Sequence, residues 1–128
     1  MPTFTKAERL KSKKLIDLLF RKGNIIVDYP VKIIWYTMSS VSSSPVQVLF
    51  SVPKKNIKSA VKRNLMKRRM REIYRKNKHY ISIPDKNNNV LLLGFIYLGP
   101  MLMDYSGLEE KIILILHRFA SDNEKSNR

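Results

Sequence analysis

The stretch Ser59–Lys78, SAVKRNLMKRRMREIYRKNK, constrains this chain more than any other. At 100° per residue it forms one helix with two unlike faces. Arg63, Lys67, Arg71 and Arg75 follow one another at i, i+4 spacing, with Asn64, Arg68 and Lys78 beside them. Met66, Met70, Ile73 and Tyr74 gather on a neighbouring face. The spacing predicts that one side packs on a core while the other presents a row of cations. Like charges four residues apart destabilise an isolated helix by roughly a few tenths of a kcal/mol per pair. Solvated helix faces usually mix signs, whereas Glu72 is the only acid in this stretch. The pattern points to a polyanionic partner.

Charge across the chain supports that inference. Lys and Arg number 25 against 10 acids, a net charge of +15 on 128 residues. Residues 53–78 hold twelve basic residues and one acid, and residues 90–128 hold four and five. A basic face of this strength is the electrostatic footprint of nucleic-acid binding. There are no cysteines, which leaves no disulfide framework and no thiolate metal site. The start, MPTFTKAERLKSKK, has no apolar signal core. The longest apolar run, Val90 to Leu98, is too short to cross a bilayer. The expectation is a soluble cytoplasmic protein without a membrane role. Residues 1–120 read as a single domain, and residues 121–128 as a polar flexible tail.

Thr5-Lys6-Ala7-Glu8 has the form of a capping box. Ser12 is the better cap for a first helix at about 13–22, with Ile16, Leu19 and Phe20 on one side and Leu15 and Leu18 widening it. Gly23 suits a left-handed stop. Val31–Met38 reads as a strand, with Val31, Ile33, Trp35 and Thr37 on one face and Lys32, Ile34, Tyr36 and Met38 on the other. Ser39–Pro45 reads as an irregular hairpin connection to a strand over Val46–Val52. There Val48, Phe50 and Val52 oppose Gln47, Leu49 and Ser51. Pro84–Asn89 is a turn cluster. A third strand, NVLLLGFIYLG, is apolar enough to be covered on both faces, and Gly94 marks a bulge or close approach. Ser106-Gly107-Leu108-Glu109 opens a last helix to about Phe119, with Leu108, Ile112, Ile115, Leu116 and Phe119 as its stripe. The order α–β–β–α–β–α predicts a small mixed sheet carrying helices, an α/β (α+β) two-layer sandwich.

No catalytic constellation is visible. His79 and His117 stand alone as surface or boundary residues, and the acids are scattered without metal-ligand or acid–base spacing. There is no phosphate loop and no dinucleotide fingerprint. Phe20 and Tyr36 either stack on unpaired bases, which is worth about 1–3 kcal/mol per base, or belong to the core. Trp35 fits the core better. A structural ribosomal protein would share the basic, cysteine-free composition, but it would more often carry long cationic extensions.

Two blocks, FTKAERLKSKKLIDLLFRKGN and VLFSVPKKNIKSAVKRNLMKRRMREIYRKNK, resemble the bacterial ribonuclease P protein subunits over residues 4 to about 119. That family carries an arginine–asparagine–arginine signature on its long helix after a Ser-Val-x-Lys-Lys strand end. Here the strand end is Ser51-Val52-Pro53-Lys54-Lys55, and the signature begins Arg63-Asn64, with Leu65 at its third position. The resemblance implies a left-handed β–α–β crossover around the basic helix and a noncatalytic role. A large RNA would hold the active site and remove the 5′ leader from precursor tRNA, while this chain, monomeric within the holoenzyme, docks on that RNA and grips the leader. By the same resemblance, Arg63, Asn64, Lys67, Arg68 and Arg71 would contact the catalytic RNA. Ile16, Phe20, Tyr36 and Ser51 would line a leader groove, with Lys54 and Lys55 at leader phosphates. The protein alone would bind no cofactor, and Mg²⁺ would be used by the RNA subunit.

Overall fold

The computed structural model of the protein describes residues 4–39, 44–81 and 89–126. Its elements are α1 (Lys13–Lys22), β1 (Asn24–Asp28), β2 (Val31–Ser39), β3 (Val46–Ser51), α2 (Ala60–Asn77), β4 (Asn89–Tyr97) and α3 (Tyr105–Ser126). Short 3-10 turns occupy Lys6–Glu8 and Lys78–Tyr80. The strands form one mixed sheet in the order β1-β2-β4-β3. β1 and β2, and β2 and β4, run antiparallel, whereas β3 and β4 run parallel with α2 as their crossover. This is the α+β class that the sequence predicts.

Alternation along the strands sorts the core into two layers. Ile33 and Trp35 of β2, Val48 and Phe50 of β3, and Leu91, Leu93 and Phe95 of β4 pack with Met66, Met70, Ile73 and Tyr74 of α2. The buried stripe of α3, from Leu108 to Phe119, joins the same layer, and Trp35 meets Phe119 edge-on at 5.4 Å between ring centroids. The opposite sheet face carries Ile34, Val90, Leu92 and Ile96, packed with Leu10 and Leu19. β4 is therefore covered on both faces, as its unbroken apolar run predicts.

α1 lies on that second face through a single fully buried residue, Leu19, supported by half-buried Leu15 and Ile16. Gly94 permits the approach. A Cβ there would come 2.8 Å from Ile34 Cγ2 and 3.5 Å from Leu19 Cδ2. Of the two readings of this glycine, close approach is the one realised.

Several boundaries differ from the sequence reading. β1 is an additional strand, so the order is α–β–β–β–α–β–α. Asn24–Asp28 is short, and only Ile26 points into the core, so it shows little alternation. β2 and β3 do not form a hairpin, because β4 lies between them and pairs with both. Gly23 ends α1 in an extended conformation, φ −68° and ψ 150°, not a left-handed one. Glycine is required there because a Cβ would collide with the Leu19 carbonyl and come 2.6 Å from Ile34 Cγ1. α3 starts at Tyr105, one residue ahead of Ser106, with Leu108 N–H donating to the Asp104 carbonyl at 3.0 Å. It continues to Ser126, through residues read as polar tail. Most of the Ser39–Pro45 connection (40–43) and of the Pro84–Asn89 turn cluster (84–88) lies outside the described residues.

Candidate nucleic-acid interface

The long basic helix is built by local chemistry. Ser59 caps α2, its hydroxyl accepting from Lys62 N–H at 3.3 Å. Such a cap is worth about 1 kcal/mol. Ahead of it, the N–H groups of Asn56 and Ile57 both donate to the Pro53 carbonyl, and Ile57 is buried. The connection from β3 is thus a folded turn that exposes Lys54, Lys55 and Lys58. Met66, Met70, Ile73, Tyr74 and Asn77 are buried, so the opposite flank of α2 is fixed outward.

That flank divides in two. At its C-terminal end Arg75 and Lys78 are paired with acids, and Lys76 lies over the Tyr105 ring. Arg75 donates to both oxygens of Glu72 through Nε at 3.0 Å and Nη2 at 2.5 Å. This hydrogen bond holds the Glu72 carboxyl below its ordinary pKa and raises that of Arg75. Lys78 pairs with Glu8. Nearer the N-terminus, Asn64 and Arg68 are exposed and Lys67 is half-buried. Among the described residues none of these three side chains has a hydrogen bond or ion pair. Arg71 is half-buried, and its Nε is enclosed without a hydrogen-bond partner among the described residues. The row predicted from Arg63 to Lys78 is therefore a stretch without acid partners as far as Arg71, followed by Arg75 and Lys78, which are each matched to an acid.

Arg63 has a second task that periodicity did not reveal. Its Nη1 donates to the carbonyls of Ile57 at 3.0 Å and Lys58 at 2.7 Å. It anchors the preceding turn while the rest of its guanidinium stays at the half-buried edge of the row. Arg69, on the apolar side of the wheel, donates to the Met103 carbonyl at 2.6 Å and ties α2 to the entry of α3. Arg69 is therefore engaged within the fold. Neither contact has a sequence signal, since the first depends on how the turn before α2 folds and the second on a carbonyl 34 residues away.

The residues expected to line a groove share the α1 side of the sheet. Ile16 and Tyr36 are half-buried in the same cluster. Ser51 is paired with Ile96 of that cluster and so faces the same way. Phe20, one turn beyond Ile16, is 47% exposed, which answers the question about its side chain in favour of the surface. Trp35 is core. Lys54 and Lys55 follow Ser51 at the end of β3 and are exposed. His79 and His117 flank Tyr80, with ring centroids 4.3 and 4.5 Å from it. Among the described residues no three acids or histidines come close enough to hold a metal ion. No described helix is long and apolar enough to cross a membrane.

The Ribonuclease P family profile matches residues 4–119. A ribonuclease P protein component of Porphyromonas gingivalis is 32% identical over 124 residues, covering 94% of this chain and 90% of that protein. One of Chlorobium phaeobacteroides is 35% identical over 123 residues, covering 88% and 84%. Among solved structures, the ribonuclease P protein of Thermotoga maritima superposes with a TM-score of 0.68 at 23% identity, covering 87% of this chain and 96% of that one. That of Staphylococcus aureus gives 0.68 at 22%, covering 87% and 94%. These structural likenesses support the fold, and the sequence matches carry the kinship: this chain belongs to the ribonuclease P protein component family.

Proposed function

We propose that this chain is the RNA-binding, noncatalytic subunit of a ribonuclease P holoenzyme, which removes the 5′ leader from precursor tRNA. The observation that carries the reading is the row Asn64, Lys67, Arg68 and Arg71, with Arg63 at its head, which meets no acid among the described residues, whereas Arg75 and Lys78 farther along are matched to Glu72 and Glu8. In this reading the row docks on the catalytic RNA. Arginine and lysine neutralise phosphates, and Asn64 bonds sugar or backbone. Ile16, Phe20, Tyr36 and Ser51 form the floor and wall of a leader groove, and Lys54 and Lys55 hold its phosphates. Phe20, exposed on a helix with one buried anchor, offers a ring to an unpaired base.

The chemistry of hydrolysis belongs to the RNA subunit and the Mg²⁺ it holds. The protein contributes position and charge. It lowers repulsion between two polyanions and holds the leader beside them, as a cytoplasmic monomer within the holoenzyme. Equilibrium binding of the chain to its cognate catalytic RNA across a salt series tests this. A steep linear fall of log K with log salt is expected. Weak binding without salt dependence would overturn the reading.

A further inference from the structure

Because β3 and β4 are parallel, with Ser51 opposite Ile96, the segments that follow them leave the sheet at the same end. Between these segments lies a cleft of about 590 Å³. Lys55, Lys58 and Lys62 line one wall, and Pro100, Met101 and Leu102 the other. The three lysines are exposed, and among the described residues their ammonium groups have no hydrogen bond or ion pair. Met101 is 75% exposed. An apolar wall left open to water opposite a wall of unpaired cations marks a surface that is covered in the working state.

Both walls are held in place. Arg63 fixes the carbonyls of Ile57 and Lys58 on one side. On the other, Tyr97 Oη–H donates to the Met101 carbonyl at 2.6 Å, and Arg69 donates to that of Met103. The cleft is thus formed before any ligand arrives, which removes part of the ordering cost of binding.

We propose that this cleft is a further RNA subsite, which receives an unpaired nucleotide of the leader beyond those in the α1 groove. Its phosphates lie on Lys55, Lys58 and Lys62 and its base on Met101 and Leu102. The inference rests on the function proposed above. Lys55 links the two sites, since it follows the groove at the end of β3 and also lines the cleft. A strand passing Lys54 and Lys55 has the cleft directly in its path. Phosphate and base have opposite solvation needs, and the two walls meet them separately.

The test uses reconstituted holoenzyme and precursor tRNAs whose leaders lengthen one nucleotide at a time. Wild-type affinity is expected to rise in two stages, one for the groove and one for the cleft. In the double variant Met101→Ala/Leu102→Ala the second stage is lost, a weakening of about fivefold or more for long leaders only, as expected from the apolar area no longer covered. Lys58→Ala should flatten the salt dependence of that stage alone. A photoreactive uridine at the corresponding leader position should crosslink to 100–102. If wild type gains affinity with leader length and the variants gain equally, the cleft is not a leader site and the groove reading stands. If the cleft crosslinks to the catalytic RNA instead, the leader assignment is overturned. If leader length has no effect on wild type, both readings fall together.

Discussion

Lys78, just past the end of α2, reaches back seventy residues to Glu8, its ammonium 3.1 and 3.3 Å from the two carboxylate oxygens. The pair fastens the N-terminal segment across the end of the basic helix. Leu10 N–H donating to Val48 O at 2.9 Å, and Phe4 edge-on to Phe50 and Tyr74, fasten the same segment to β3 and the core. The pairing also offsets one positive charge at the end of α2.

Lys78→Ala is therefore expected to leave the salt slope of RNA binding nearly unchanged while loosening the N-terminal segment. The loss of global stability should be at most about 1 kcal/mol, as for other partly exposed pairs. Amide exchange at residues 4–10 measures the loosening. A reduced salt slope would place Lys78 in the RNA interface.

Arg63→Ala and Arg71→Ala act on the unpaired row. Each should weaken binding to the catalytic RNA and reduce the magnitude of the log K against log salt slope by about one. Both variants should remain folded. Arg63→Ala should also be less stable by about 1–2 kcal/mol, because the Ile57 and Lys58 carbonyls lose their donor. Denaturant titration beside the binding series separates the two effects. An unchanged slope for both variants would count against the row as the docking surface.

Phe20→Ala removes an exposed ring, so stability should change by less than about 1 kcal/mol. Binding of leader-bearing precursor should weaken by about fivefold or more, with mature tRNA hardly affected. Equal losses for precursor and mature tRNA would show that the ring does not meet the leader.

Tyr74 sits in the core, and burial, with the Glu8 carboxylate nearby, pushes its phenol well above the ordinary value of 10.0. In the unfolded chain the phenol ionises near that ordinary value, while in the fold it stays neutral. Stability is thus fully present below pH 10.0 and is lost progressively as pH rises above it. Tyr97 is shifted the same way. The melting temperature should fall steeply in alkali, and Tyr74→Phe should fall less steeply. Identical alkaline profiles would show that Tyr74 does not carry the effect.

Periodicity made the helices and strand faces legible because each depends on neighbours within a turn or a pleat. Met66, Met70, Ile73 and Tyr74 are all buried where the wheel puts them. Non-local features were not legible. β1 has one inward residue, Ile26, and the separation of β2 from β3 depends on β4, which follows only after the whole of α2. The cation row was visible in the sequence, and so was the i, i+3 spacing of Glu72 and Arg75, but the rest of its division was not. Only the fold brings Glu8 to Lys78 and the turn carbonyls to Arg63. The second cleft needed the parallel pairing of β3 with β4, because its two walls are far apart in sequence.

The most direct measurement is cleavage of a precursor tRNA at low magnesium, comparing the protein alone, its cognate ribonuclease P RNA alone, and the two together. Cleavage at the mature 5′ end only with both present is the predicted result. Cleavage by the protein alone, or no effect of adding it to the RNA, would contradict the account.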